Sequence, residues 1–121
     1  MSKLEQRPWG FFTVLHDTPY CKVKEIFVNP GQRLSYQYHT KRKEVWTCVG
    51  GTLTVIRQGH EFTLVDGDTI EIGLGVHHRA WNKGNIPAAF VEVQTGSYFG
   101  EDDIVRLQDD YDRTENTTNQ P

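Results

Sequence analysis

Short segments rich in β-branched and aromatic residues recur along almost the whole chain, and this recurrence restricts the possible folds more than any other feature. Turn-forming residues separate the segments, as at Asn29-Pro30-Gly31 and Gly50-Gly51. Many short strands at regular spacing predict an all-β sandwich or barrel. No amphipathic helix is predicted, apart from a short turn near Asp102 to Leu107. The predicted strands are residues 11–15, 22–28, 34–39, 44–49, 52–57, 61–65, 69–72, 77–82 and 88–94.

The size and charge of the chain exclude several classes of protein. Its 121 residues suffice for one core, so we expect a single domain at residues 1–113 and a disordered polar tail at residues 114–121. A net charge of −3 gives no reason to expect nucleic acid or an anionic membrane as a partner. No apolar run is long enough to cross a bilayer, and the N-terminal residues lack the pattern of a signal peptide. We therefore expect a cytoplasmic protein with reduced thiols at Cys21 and Cys48.

Two segments that each begin at a glycine contain side chains able to bind a metal ion. The first holds Gln37, His39 and Glu44, and the second holds His78. Residues 37 and 39 share one strand face because side chains alternate, and a turn after His39 would bring Glu44 back beside them. Two imidazoles, one carboxylate and one amide form a reasonable ligand set for a divalent cation.

The spacing within these segments closely resembles the two sequence motifs of the cupin superfamily, here running from Gly31 to Gly51 and from Gly67 to Asn82. Gln37 stands where the superfamily usually has histidine, and Gly73 stands where it usually has proline. The resemblance implies an all-β cupin double-stranded β-helix, or jelly-roll barrel, with one divalent metal ion. Zinc is the metal that the resemblance implies, and manganese, iron, cobalt and nickel suit the same ligands. The implied ligands are Gln37, His39, Glu44 and His78.

Further phrases of the sequence are RPWG at 7–10, EVW at 44–46, EVQTG at 92–96 and GEDDIVR at 100–106. Together they resemble the mannose-6-phosphate isomerase domain of type II enzymes, in which a GDP-mannose pyrophosphorylase domain usually comes first. This sequence has no room for that second domain, so we expect a free-standing isomerase-like cupin. The resemblance covers about Arg7 to Arg113, and it implies a hexose phosphate substrate and a homodimer.

Aldose–ketose interconversion moves a proton between neighbouring carbons through an enediol, so it needs a proton-transferring group and a charge near the oxyanion. We predict that Lys24, Glu92 and Arg106 are the catalytic residues. Lys24 faces the same way as Ile26 on an apolar predicted strand, and Glu92 alternates with Val91 and Val93. Arg106 lies in a segment that could cover the mouth of the barrel. The alternatives are that Lys24 pairs with an acidic neighbour such as Glu92, and that Arg106 is only structural.

The substrate's phosphate requires hydrogen-bond donors and cations. Ser35 is predicted on the same strand face as Gln37 and His39, where it could donate to a phosphate oxygen. Further candidate contacts are Arg33, Arg42 and Arg79. The alternative for Arg42 is that the run of residues 41–43 (KRK) forms a solvated turn.

Three functional classes are compatible with this sequence. The first is a metal-dependent isomerase that interconverts mannose 6-phosphate and fructose 6-phosphate. The second is a metal-dependent oxygenase, because two histidines and one carboxylate also form the facial triad of non-haem iron. The third is a non-catalytic sugar-binding or regulatory cupin. Fold alone cannot choose among them, but the longer phrases favour the isomerase.

Overall fold

The computed structural model describes residues 3–111, in which eleven strands make up the regular secondary structure. Each of the predicted strands is present, with its ends moved by up to two residues, so the all-β class is confirmed. No helix in residues 3–111 could span a membrane. The strands are β1 (Lys3–Arg7), β2 (Gly10–Asp17), β3 (Lys22–Val28), β4 (Tyr36–Tyr38), β5 (Arg42–Gly50), β6 (Leu53–Arg57), β7 (His60–Leu64), β8 (Thr69–Ile72), β9 (His78–Trp81), β10 (Ala88–Gly96) and β11 (Val105–Gln108).

The strands form two antiparallel sheets that share one core. The six-stranded sheet has the order β1-β2-β3-β10-β5-β8, and the five-stranded sheet has the order β11-β4-β9-β6-β7. Side chains from both sheets meet in a single apolar cluster, with Trp46 and Phe90 from the first sheet and Leu53 and Val55 from the second. Because strand side chains alternate between the two faces, this arrangement leaves the other face of each sheet outside the core.

The inner faces of β3, β5 and β10 are polar toward one end and apolar toward the other. Strand register places Glu92 opposite both Lys24 and Trp46, and it places Phe90 opposite both Ile26 and Cys48. The barrel interior is therefore divided into an apolar region, which supplies the core, and a polar region of buried charged side chains. Burying a charged side chain without a counter-charge is costly, so the charges of the polar region must pair with one another or with a ligand.

Two elements differ from the sequence-based prediction. Strand β1 was not predicted, because its sequence KLEQR lacks an apolar pattern; it pairs with β2 at the edge of the six-stranded sheet. The short turn predicted near Asp102 to Leu107 is wrong over its second half, where β11 pairs with β4. Val105 and Arg106 lie opposite Tyr38 and Gln37, and this pairing, rather than local propensity, makes the segment a strand. The predicted tail and the predicted domain end at residue 113 lie outside the described residues.

Candidate metal centre

Three of the four predicted metal ligands converge in the polar region of the barrel. One ligand atom each from His39, Glu44 and His78 lies within 4.8 Å of the other two, and all three side chains are buried. His39 follows β4, Glu44 lies on β5 and His78 begins β9. The single register contact between β4 and β9 pairs Gln37 with His78, which brings the second sequence segment beside the first.

Both histidines are held in the tautomer that a metal site requires. Nδ1 of His39 lies 2.8 Å from the carbonyl of Asp103, and Nδ1 of His78 lies 2.8 Å from the carbonyl of Val76. Since a carbonyl oxygen only accepts, each Nδ1 bears the proton and each Nε2 keeps its lone pair. Burial lowers the pKa of His39, and it lowers the pKa of His78 to about 4. Both rings are therefore neutral near pH 7, the state that coordinates metal.

The carboxylate of Glu44 is ionised and oriented. Its Oε1 accepts a 2.8 Å hydrogen bond from Trp46 Nε1, and its Oε2 accepts a 2.8 Å bond from Arg42 Nε. Burial opposes ionisation of Glu44, but the positive charges of His39, once that ring is protonated in acid, and of Arg42 outweigh the effect of burial and lower the pKa of the carboxyl to about 2.

Oε2 of Glu44 also lies 3.2 Å from Nε2 of His39. With the His39 proton on Nδ1, no proton lies between these two acceptors, and both have a lone pair that a cation could bind. Two neutral imidazole nitrogens and one carboxylate oxygen are a donor set that suits a divalent transition metal. The residues present therefore fit the metal that the fold implies.

Gln37 and Ser35 interact with each other. The Gln37 amide donates to Ser35 Oγ at 3.0 Å and lies 3.4 Å from the Ser35 carbonyl oxygen, so its own oxygen remains available as a fourth ligand. Gln37 lines the same cavity as the three ligands. Ser35 is buried, and its hydroxyl oxygen contacts Gln37, a candidate metal ligand.

The predicted catalytic residues Lys24, Glu92 and Arg106 line the cavity that contains the candidate ligands. Lys24 donates a 2.6 Å bond to Glu101 Oε2 and packs over the ring of Phe12, with its Nζ 4.1 Å from the ring centroid. The acidic partner found for Lys24 is therefore Glu101, whereas the sequence had suggested Glu92.

Glu92 is a buried carboxyl with an unusual proton affinity. Burial and the charge of Glu44 raise its pKa to about 8, against the opposing effects of Lys24 and Arg42. The side-chain amide of Gln94 donates to Glu92 Oε2. Glu92 therefore holds a proton near neutral pH and can release it within the working range of an enzyme.

Of the three arginines predicted to bind phosphate, one lines the cavity and two do not. Arg42 is buried on the inner face of β5 and lines the cavity, so the alternative of a solvated turn is wrong for this residue. Arg33 instead makes two bonds of 2.7 and 2.8 Å to the carboxylate of Asp110. Arg79 donates to the Leu34 carbonyl and to the side chain of Gln108, and neither Arg33 nor Arg79 lines the cavity.

Three residues of this site were missed by sequence reasoning. Arg7 and Glu101 line the cavity and lie 3.8 Å apart, and Trp46 orients Glu44. Trp46 is two residues from Glu44 on one strand, so alternation alone could have placed it on the same face. Arg7 lies in the segment RPWG and Glu101 in the segment GEDDIVR, but no spacing rule connects two residues so far apart.

The fold and the site together define the class of protein. Two antiparallel sheets enclose one cavity, into which two imidazoles and one carboxylate project. The solved structure of a conserved protein with a double-stranded β-helix domain from Klebsiella pneumoniae is similar to this chain, with a TM-score of 0.67 and 27% identity. The match covers 73% of this chain and 77% of that chain. The protein is a cupin, as the sequence predicted.

Residues 2–109 match the sequence model of the family described as mannose-6-phosphate isomerase C-terminal, and the chain belongs to that family. Among its relatives, the xanthan biosynthesis protein XanB of Xanthomonas campestris is 45% identical over 108 residues, covering 89% of this chain and 23% of that protein. A mannose-1-phosphate guanylyltransferase of Klebsiella pneumoniae is 42% identical over 107 residues, covering 88% of this chain and 23% of that protein. This chain thus spans less than a quarter of the length of either relative.

Proposed function

We propose that this protein is a metal-dependent isomerase that interconverts mannose 6-phosphate and fructose 6-phosphate through an enediol. The observation that supports the proposal most directly is the position of Glu92, a proton-holding carboxyl that lines the same cavity as a donor set suited to a metal. Membership of the mannose-6-phosphate isomerase C-terminal family supports a sugar phosphate as the substrate class.

We propose one divalent ion, zinc, held by His39, Glu44, His78 and the amide oxygen of Gln37. When bound, the ion would act as a Lewis acid that polarises the sugar carbonyl. Trp46 keeps Glu44 Oε1 occupied, and Oε2 is the carboxylate oxygen that lies against His39.

Glu92 is our candidate for the proton-transferring group. As a carboxylate it takes the proton from C2 of mannose 6-phosphate, and as a carboxylic acid it returns that proton to C1. A pKa of about 8 keeps both forms accessible near neutral pH, which favours transfer in either direction. The second proton of the isomerisation moves between the oxygens on C1 and C2.

Cationic side chains in the cavity are suited to the negative charges of the substrate. Arg42, Arg106 and Lys24 line it, and we propose that they stabilise the enediolate and contact the phosphate. Ser35, Arg33 and Arg79 are not part of this proposal, because none of the three lines the cavity.

The test is an assay of mannose 6-phosphate isomerisation by the purified chain, loaded with zinc and again after chelation. We expect turnover that is lost on chelation and restored by adding zinc back. Glu92→Gln should lower kcat by about a hundredfold or more, in the range expected for loss of a general acid–base. Glu71→Gln is the matched control, since Glu71 is an exposed carboxyl on β8, and it should leave kcat unchanged.

Folded, metal-loaded protein that shows no turnover with zinc, manganese, iron, cobalt or nickel would contradict the proposal. Binding of the sugar phosphate without turnover would then identify a sugar-binding cupin. Consumption of oxygen by the iron-loaded protein would instead identify an oxygenase.

A further inference from the structure

The guanidinium group of Arg42 contacts the two atoms around which the candidate metal centre is built. Its Nε donates to Glu44 Oε2 at 2.8 Å, and its Nη2 lies 3.5 Å from His39 Nε2. Its third nitrogen, Nη1, lies 3.4 Å from the carbonyl of Gly100. Arg42 is 3% exposed, so this charge is removed from water and placed beside a buried carboxylate. A buried carboxylate that lacks a counter-charge is strongly destabilising, and Arg42 supplies that charge for Glu44.

The same two atoms are those that a divalent cation would use. Since the His39 proton lies on Nδ1, the lone pair of Nε2 faces Glu44 Oε2, and Arg42 donates toward both acceptors. A metal ion on these atoms would lie close to the guanidinium, where like charges repel strongly in a buried site. The guanidinium and the metal are therefore competitors for one pair of ligand atoms.

We propose that Arg42 is the counter-cation of the metal-free centre, that it gives up Glu44 Oε2 and His39 Nε2 when a divalent cation binds there, and that it then binds the anionic group of the substrate. Arg42 already lines the cavity, so its released guanidinium remains in reach of a ligand there. The last step rests on the proposed function, which supplies a phosphorylated substrate. The competition with metal follows from the contacts of Arg42 and is independent of any reaction.

The position of Arg42 on β5 distinguishes it from its neighbours. Lys41 and Lys43 are exposed, whereas Arg42 alternates inward with Glu44 and Trp46. Lys43→Gln therefore removes the same charge from the same strand without touching the cavity. This variant provides a matched control for Arg42→Gln.

The first experiment titrates cobalt into the purified chain and follows the absorption of the bound ion. We expect Arg42→Gln to bind cobalt more tightly than the unsubstituted protein by on the order of tenfold or more, because a repelling charge has been removed. Arg42→Lys, which keeps the charge, and Lys43→Gln should each bind cobalt within about twofold of the unsubstituted protein. If Arg42 served only to orient Glu44 for the metal, Arg42→Gln would bind cobalt more weakly. Equal or weaker binding would overturn the proposal.

Loss of Arg42 also leaves Glu44 without its counter-charge when no metal is present. If Arg42→Gln is unfolded in chelator, saturating cobalt should restore the folded state, because the cation replaces the guanidinium. A variant that stays unfolded at saturating cobalt would contradict the proposal.

The second experiment titrates inorganic phosphate into the cobalt-loaded proteins by calorimetry. Lys43→Gln should match the unsubstituted protein, and Arg42→Gln should bind phosphate on the order of tenfold more weakly, the effect of one charge-assisted contact. Equal phosphate affinity in the two variants would overturn the transfer of Arg42 to the substrate anion. Both experiments are independent of turnover, so an inactive protein with the expected cobalt affinities would reject the isomerase and leave the competition standing.

Discussion

Glu44 contacts several side chains of the candidate centre at once. Trp46 donates to one carboxylate oxygen, and Arg42 and His39 lie against the other. The ring of Trp46 also packs edge-on to His78, with centroids 5.5 Å apart, and against Phe90. One side chain thus connects the apolar core to two candidate ligands, so we expect changes at Trp46 to affect metal binding.

Trp46→Phe removes the indole N–H and keeps an aromatic ring in the core. We expect it to weaken zinc binding by about tenfold to a hundredfold, because partners that orient a ligand typically have effects of that size. Competition with a chelator of known affinity measures the change. Trp81→Phe is the control, because the ring of Trp81 contacts the cations of Arg33 and Lys83 and does not line the cavity. Unchanged zinc affinity in Trp46→Phe would show that the Glu44 contact does not support the metal.

The raised pKa of Glu92 predicts an unusual dependence of stability on pH in the metal-free protein. Its pKa is about 8 in the folded state, above the ordinary value of 4.5. Between pH 4.5 and about 8 the folded state therefore binds a proton that the unfolded state has released. Stability from this group is therefore present at low pH and lost as pH rises toward 8. Relative to Glu92→Gln, the unsubstituted protein should lose about 2 kcal/mol of unfolding free energy between pH 6.5 and 8.

Urea unfolding in the presence of chelator, repeated across this pH range, measures the effect. The histidines of the centre are present in both proteins, so their contributions cancel in the difference. Parallel stability profiles for the two proteins would mean that Glu92 is ionised throughout, and Glu92 would then be a poor candidate for a group that both takes and returns a proton.

Among the strands, the end of β10 is notable because it approaches the start of β5 closely beside the cavity. Gly96 has a φ of +141°, and a Cβ built on it would lie 2.4 Å from the carbonyl oxygen of Lys41. Strand register places Gly96 opposite Arg42, and the segment that follows contains Glu101, the partner of Lys24. The missing side chain of Gly96 therefore allows β10 and β5 to approach closely beside the cavity.

Gly96→Ala should lower the unfolding free energy by about 3 kcal/mol or more, because it adds a backbone clash to an unfavourable φ. Gly59→Ala is the matched control: its φ is +78°, but a Cβ there meets nothing within 4 Å. It should cost only the backbone preference, about 1 kcal/mol. Thermal or urea unfolding of both variants measures the difference. Equal losses would mean that the strands can separate without cost at this point.

The sequence predicts strands correctly where apolar residues alternate. It misses β1 and β11, which become strands because they pair with a neighbouring strand. Strands β3 and β8 were predicted with the bounds they have, because their own sequences alternate between buried and more exposed residues. The first two residues of β5, Arg42 and Lys43, fall in a predicted turn, because their charged side chains give no sign of a buried face. Since strand side chains alternate, starting β5 two residues earlier would have placed Arg42 beside Glu44.

For the whole molecule, the division of the interior into apolar and polar regions follows from the register of β3, β5 and β10. Motif spacing predicted the cupin fold and the convergence of His39, Glu44 and His78, since ligands repeat at fixed offsets on paired strands. It could not predict the Lys24–Glu101 pair or the contacts of Arg33 and Arg79. Those depend on where distant segments pass one another, which a local pattern does not encode.

We propose that one cavity contains both a metal site and a separate proton-transferring group. The most direct test measures bound zinc and mannose 6-phosphate turnover in the same samples of Glu44→Gln and Glu92→Gln. We predict that Glu44→Gln loses both zinc and turnover, whereas Glu92→Gln retains one zinc per chain and loses turnover. Full turnover in zinc-loaded Glu92→Gln, or turnover in zinc-free Glu44→Gln, would contradict the claim.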